Sequence, residues 1–86
     1  MKNDDLRDHI AAHFSQLKET LTELVKIPSV SAEAFDPAPV RQSAERIAQL
    51  LKEVGCDDVQ LLEEPGAHPA VFGGISAPAG APTVLL

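Results

Sequence analysis

Three histidines, one cysteine, a pair of adjacent glutamates and a few loop serines are the residues of this 86-residue chain whose chemistry could go beyond scaffolding. His9 and His13 stand four apart, a spacing that sets two imidazoles on one helix face where they could share a metal ion, with Asp5 and Asp8 close by. A metal-sensing helix is therefore one reading. No motif elsewhere fixes a third ligand, and at 100° per residue His9 points away from the apolar stripe with His13 at its border, so a solvated helix face is the expectation. His68 lies alone before Pro69, between a turn and a strand, and is expected to be a satisfied structural histidine rather than an acid–base group. Glu63 and Glu64 are strand neighbours, so their carboxylates point to opposite faces and are expected to be solvated. Ser29 and Ser31 lack the elbow of a nucleophile and read as turn hydroxyls. Gly73-Gly74 lacks the spacing and the following helix of a phosphate loop, and relief of crowding in a strand is its expected role. Cys56 stands alone, which excludes an internal disulfide and a cysteine-based zinc knuckle, and it reads as a small half-buried residue after a helix. No catalytic, cofactor-binding or metal-ligating residue is assigned in this chain.

The elements that carry these residues follow from periodicity. Leu6, Ile10, Phe14, Leu17, Leu21, Leu24 and Val25 recur at three and four, predicting a helix over about 4–26 with an apolar stripe about 100° wide. Asp4, Asp5 and Asp8 suit its positive end and Lys26 its negative end. Pro28 stops it by pushing Ile27 off helical angles. The connection Ile27-Pro28-Ser29-Val30-Ser31 leads through a loop to Asp36, an N-cap, with Pro37 at the first helical position. The second helix is expected over about 37–54, its stripe formed by Val40, Ala44, Ile47, Leu51 and Val54, with Ala48 and Leu50 on the flanks and Gly55 as the C-terminal cap. The period then falls to two, and strands are expected over about 58–63, 69–75 and 82–86, joined by the Glu64-Pro65-Gly66-Ala67 turn and a small-residue hairpin loop from Ser76 to Pro82. Thr83-Val84-Leu85-Leu86 reads as the start of a strand covered on both faces, so the natural chain is expected to continue past residue 86. The pattern as a whole is that of an αα-then-βββ piece of a larger α/β domain.

Composition narrows the partners. Seven basic residues face thirteen acidic ones, for a formal net charge of −6 and no long run of either sign. Nucleic acid and anionic membrane surfaces both need a basic stripe, so neither is expected as a partner. The N-terminal residues carry no apolar signal core, and no stretch nears about 20 apolar residues, so the expected compartment is the cytoplasm. A chain of this size buries only about 63% of its unfolded surface and is marginally stable alone.

Several runs resemble a known family. Leu24-Val25-Lys26-Ile27-Pro28-Ser29-Val30-Ser31, then Ala44-Glu45-Arg46-Ile47-Ala48 to Leu51-Lys52-Glu53-Val54-Gly55, then Gly66-Ala67-His68-Pro69-Ala70-Val71-Phe72-Gly73, and last Gly80-Ala81-Pro82-Thr83-Val84-Leu85-Leu86, resemble the opening of the di-zinc aminoacylase, carboxypeptidase and dipeptidase family of metallopeptidases. The last two runs are more like its carnosinase-like dipeptidase branch than its deacetylases. The resemblance implies that the chain is the N-terminal part of a three-layer α/β/α zinc-peptidase catalytic domain, two helices followed by the first strands of a mixed sheet. The intact parent would be a cytoplasmic dipeptidase using two zinc ions and a metal-activated water. An N-acyl-amino-acid deacylase of the same family is the alternative, and a non-catalytic interaction module is the alternative from another class. In that family the strand matching Thr83–Leu86 leads into a Gly-His-x-Asp motif that supplies the first zinc ligand, and the other ligands and a glutamate base come later. None of them maps onto a residue here, so this chain alone is expected to be inactive. Its implied partners are the remainder of the catalytic domain, a small peptide substrate of the parent and, as an option, a second copy.

Overall fold

The computed structural model describes residues 3–86. It contains helix α1 (Asn3–Lys26), helix α2 (Ala38–Glu53), strand β1 (Asp58–Leu62) and strand β2 (Ala70–Gly74). Both helices and the first two strands lie where periodicity places them, within a residue or two. The fold is a small mixed α/β unit: two helices and one antiparallel two-stranded sheet.

Each boundary has a local cause. Beyond Lys26, Pro28 forbids another turn, and the chain leaves through tight hydrogen bonds from Ile27 N–H to Leu24 O (3.2 Å), Ser29 N–H to Ile27 O (2.7 Å) and Val30 N–H to Pro28 O (3.0 Å). At the start of α2 the Asp36 carboxylate accepts the Ala38 N–H at 3.0 Å, while Pro37, with φ −75°, is already set for the helix. The cap position itself falls on Pro37, one residue after the expected Asp36, whose carboxylate still takes the first helical N–H. At the far end Gly55, with φ +104°, takes the left-handed position. Its N–H donates to Lys52 O and the next N–H, from Cys56, to Leu51 O, at 3.1 and 3.0 Å. That pair of bonds is a Schellman closure, and it sets Cys56 over Leu51. Gly55→Ala is expected to lower stability by about 1–2 kcal/mol, read by urea unfolding, because an L side chain resists this backbone conformation.

The sheet is a hairpin. Asp58 to Leu62 pair with Gly74 to Ala70 in antiparallel register, so Val59 lies opposite Gly73 and Leu61 opposite Val71. The connection turns at Glu64–Ala67, where Ala67 N–H donates to Glu64 O at 3.1 Å and Gly66 has φ +79°. This is the Pro-Gly turn that the sequence predicts. Val59, Leu61 and Val71 are half-buried on one face, and α2 packs against both strands.

The core of the described residues is small, and it departs from the expected α2 stripe at Ile47 and Val54. Ala44 and Ala48 are the buried residues, flanked by half-buried Val40 and Leu51, whereas Ile47 is 37% exposed and Val54 72% exposed. The α2 stripe is therefore 40, 44, 48 and 51. A two-stranded sheet covers only a narrow strip of helix, and the two alanines let the backbones approach where larger side chains would hold them apart.

The third strand expected over 82–86 is absent. The chain instead turns at Pro78–Ala81, with Ala81 N–H to Pro78 O at 3.1 Å and Gly80 at φ +87°. This is the same turn geometry as at Glu64–Ala67, so the turn alone does not keep the segment out of the sheet. Pro78 and Pro82 offer no N–H to a ladder. Val84, Leu85 and Leu86 are accordingly exposed.

Candidate functional site

A groove of about 1040 Å³ lies between the C-terminal half of α1 and α2, lined by Phe14, Lys18, Thr22, Lys26, Gln42 and Arg46, among others. Arg46 is its organising residue. Its Nε donates to Glu23 Oε2 of α1 at 2.8 Å, and its Nη1 lies 3.7 Å from Glu53 Oε1. That Nη1 is out of solvent and has no hydrogen-bond partner. Hydrogen bonding to Glu23 holds the guanidinium above its already high ordinary value, so Arg46 stays charged. One turn earlier, Arg41 bonds Glu45 at 3.1 Å within α2 and also Glu63 at the end of β1. The cleft thus carries fixed charges of both signs. Ser15, Glu19 and Glu45 add to its polar lining.

The histidines singled out above are placed as follows. His13 Nδ1–H donates to the His9 carbonyl at 2.8 Å, and the two exposed rings sit 4.3 Å apart. Among the described residues no group of three or more His, Cys, Asp or Glu side chains could hold a metal ion. His68 Nε2–H donates to the Ser31 carbonyl at 2.9 Å, so the loop before β2 is tied to the connection between the helices. A structural histidine was the expectation, and this bond is its content. Glu63 and Glu64 are exposed, as expected, with Glu63 also meeting Arg41, and Cys56 is half-buried as predicted. Gly73 faces Leu51 and Cys56 so closely that a Cβ there would collide, which is the crowding relief expected of it.

The long-range pairs Arg46–Glu23 and Arg41–Glu63 were beyond sequence reasoning. Only Arg41–Glu45 carries a local signal, the i,i+4 spacing on a helix.

A further polar clamp closes the hairpin's open end. Asp57 N–H donates to Gly74 O at 3.1 Å, and its Oδ1 accepts the Ser76 N–H at 3.0 Å. Hydrogen bonding from the Ser76 side chain and N–H holds the Asp57 carboxyl below its ordinary value of 3.8. A depressed folded-state value gives stability that is present above the unfolded value and lost as pH falls through the folded one. Exchange protection of the Ser76 amide is thus expected to fall below about pH 3.8. In Asp57→Asn that acid transition should vanish, and amide exchange followed by NMR across the acid range measures both.

No described helix is long and apolar enough to cross a membrane. No family model, curated protein or solved structure matches the chain.

Proposed function

We propose that this chain is the N-terminal scaffold of a zinc-dependent peptidase, a dipeptidase in its intact form. The observation that carries the reading is the His68–Ser31 hydrogen bond at 2.9 Å. It joins two of the runs that resemble the family, the Ile27–Ser31 connection and the Gly66–Gly73 segment, although they lie far apart in the chain. A third, Ala44–Gly55, is the helix packed on the sheet beside them. Three of the four runs that carry the resemblance therefore meet in one unit, while the fourth, Gly80–Leu86, stays outside it. Within the three-layer domain that this reading assigns to the parent, the unit would form part of the sheet and its outer helices.

The described residues do not fit a zinc site. His13 spends Nδ1 on the His9 carbonyl, His68 spends Nε2 on Ser31, and no third ligand converges on either. The proposal accordingly gives these residues a positioning role and assigns the zinc ligands and the base to the remainder of the catalytic domain.

The test is expression of the intact reading frame, with zinc analysis and parallel assays on dipeptides and N-acyl amino acids. Dipeptide cleavage lost to a chelator and restored by zinc is the expected result, and the 86-residue chain alone should cleave neither substrate. Preference for acylated amino acids would move the assignment to the deacylase alternative. A zinc-free product that hydrolyses neither overturns the proposal.

A further inference from the structure

The outer face of α1 is apolar, exposed and self-complementary. Leu6, Ile10, Phe14, Leu17, Leu21 and Val25 are between 47% and 74% exposed. Their spacings run four, four, three, four, four, and so read the same in both directions about a point between Ser15 and Gln16. A two-fold axis through that point sets Leu6 against Val25, Ile10 against Leu21, and Phe14 against Leu17 of another copy. A symmetric dimer requires this relation, because residue i must meet j while j meets i.

We propose that α1 pairs with α1 of a second copy, antiparallel, along this stripe. The remaining charges favour that direction. The same axis sets Asp5 against Lys26, and it opposes the two helix dipoles. Glu23, which falls toward the other copy's Asp8, is already paired with Arg46 of its own chain. Parallel pairing would instead bring Asp4, Asp5 and Asp8 of both copies together at one end. The face is largely open: Thr20 and Ile27 are half-buried to one side of it, Leu24 is the half-buried member at its edge, and Phe14 also borders the cleft toward α2. The pairing does not depend on the peptidase reading and is tested without any activity.

The experiment mixes two variants of the full chain, Ile10→Cys and Leu21→Cys, each also carrying Cys56→Ser, under mild oxidation with oxidised glutathione. A mixed disulfide between the two variants, with little of either homodisulfide, is the expected result. Homodisulfides in preference to the mixed product, or a chain that sediments as a monomer throughout a dilution series, overturn the proposal. Leu17→Glu should raise the dimer Kd by about 100-fold or more, since two leucine burials are lost per dimer. Its circular dichroism after dilution to monomer should match that of the parent chain under the same conditions, because Leu17 is exposed within one copy.

Discussion

Gly73→Val is expected to lower the unfolding free energy by about 1–3 kcal/mol, the usual cost of overfilling a packed site. A Cβ at Gly73 would stand 2.8 Å from Leu51 Cδ1 and 3.3 Å from Cys56 Sγ. Both are side-chain atoms: the Leu51 methyl must turn aside to make room, which costs its packing between α2 and the sheet while the backbone bond that closes the helix is untouched. The adjacent Gly74 is the control. A Cβ there meets nothing closer than 3.5 Å, so Gly74→Ala should change stability by no more than about 0.5 kcal/mol. Urea unfolding of both variants decides the matter. Equal effects at the two positions would mean that the glycines serve backbone freedom and not close packing.

A larger loss is expected from Ala48→Asp, about 3–5 kcal/mol, the scale of a buried charge without a partner. Ala48 is 8% exposed and sits where α2 meets the sheet. Among the described residues the bonded cations of α2, Arg41 and Arg46, are already engaged with Glu45, Glu63, Glu23 and Glu53. Since a chain of this size is marginally stable, the variant should lose its cooperative thermal transition. Gln42→Asp, on the exposed side of the same helix, should keep it, with a change within about 0.5 kcal/mol. A cooperative melt in Ala48→Asp would show that α2 does not need this contact.

Local signals account for the parts of the fold that were legible in the sequence. Pro28, Asp36 and Gly55 bound the helices through backbone angles and capping bonds that act within a few residues, and the Pro65-Gly66 turn works in the same way. The third strand was misread because Thr83–Leu86 has strand composition, and composition does not supply a neighbour to pair with. Val40, Ala44 and Leu51 of the expected stripe face the sheet, while Ile47 and Val54 leave it and Ala48 joins it, because periodicity ranks side chains by apolarity whereas the sheet selects for closeness of approach. The site was the least legible part: that Arg46 would reach Glu23, and His68 the Ser31 carbonyl, depends on how the helices and the hairpin lie together.

The length of α1 has a mechanical consequence. Its 24 residues make a shaft about 36 Å long, anchored at the Ile27–Ser31 joint and braced by the Arg46–Glu23 contact near that end. A pivot of about 10° at the joint carries the far tip through about 6 Å. The brace acts on the short arm of this lever, so removing it would be felt most strongly at Leu6, at the opposite end from where the cut was made.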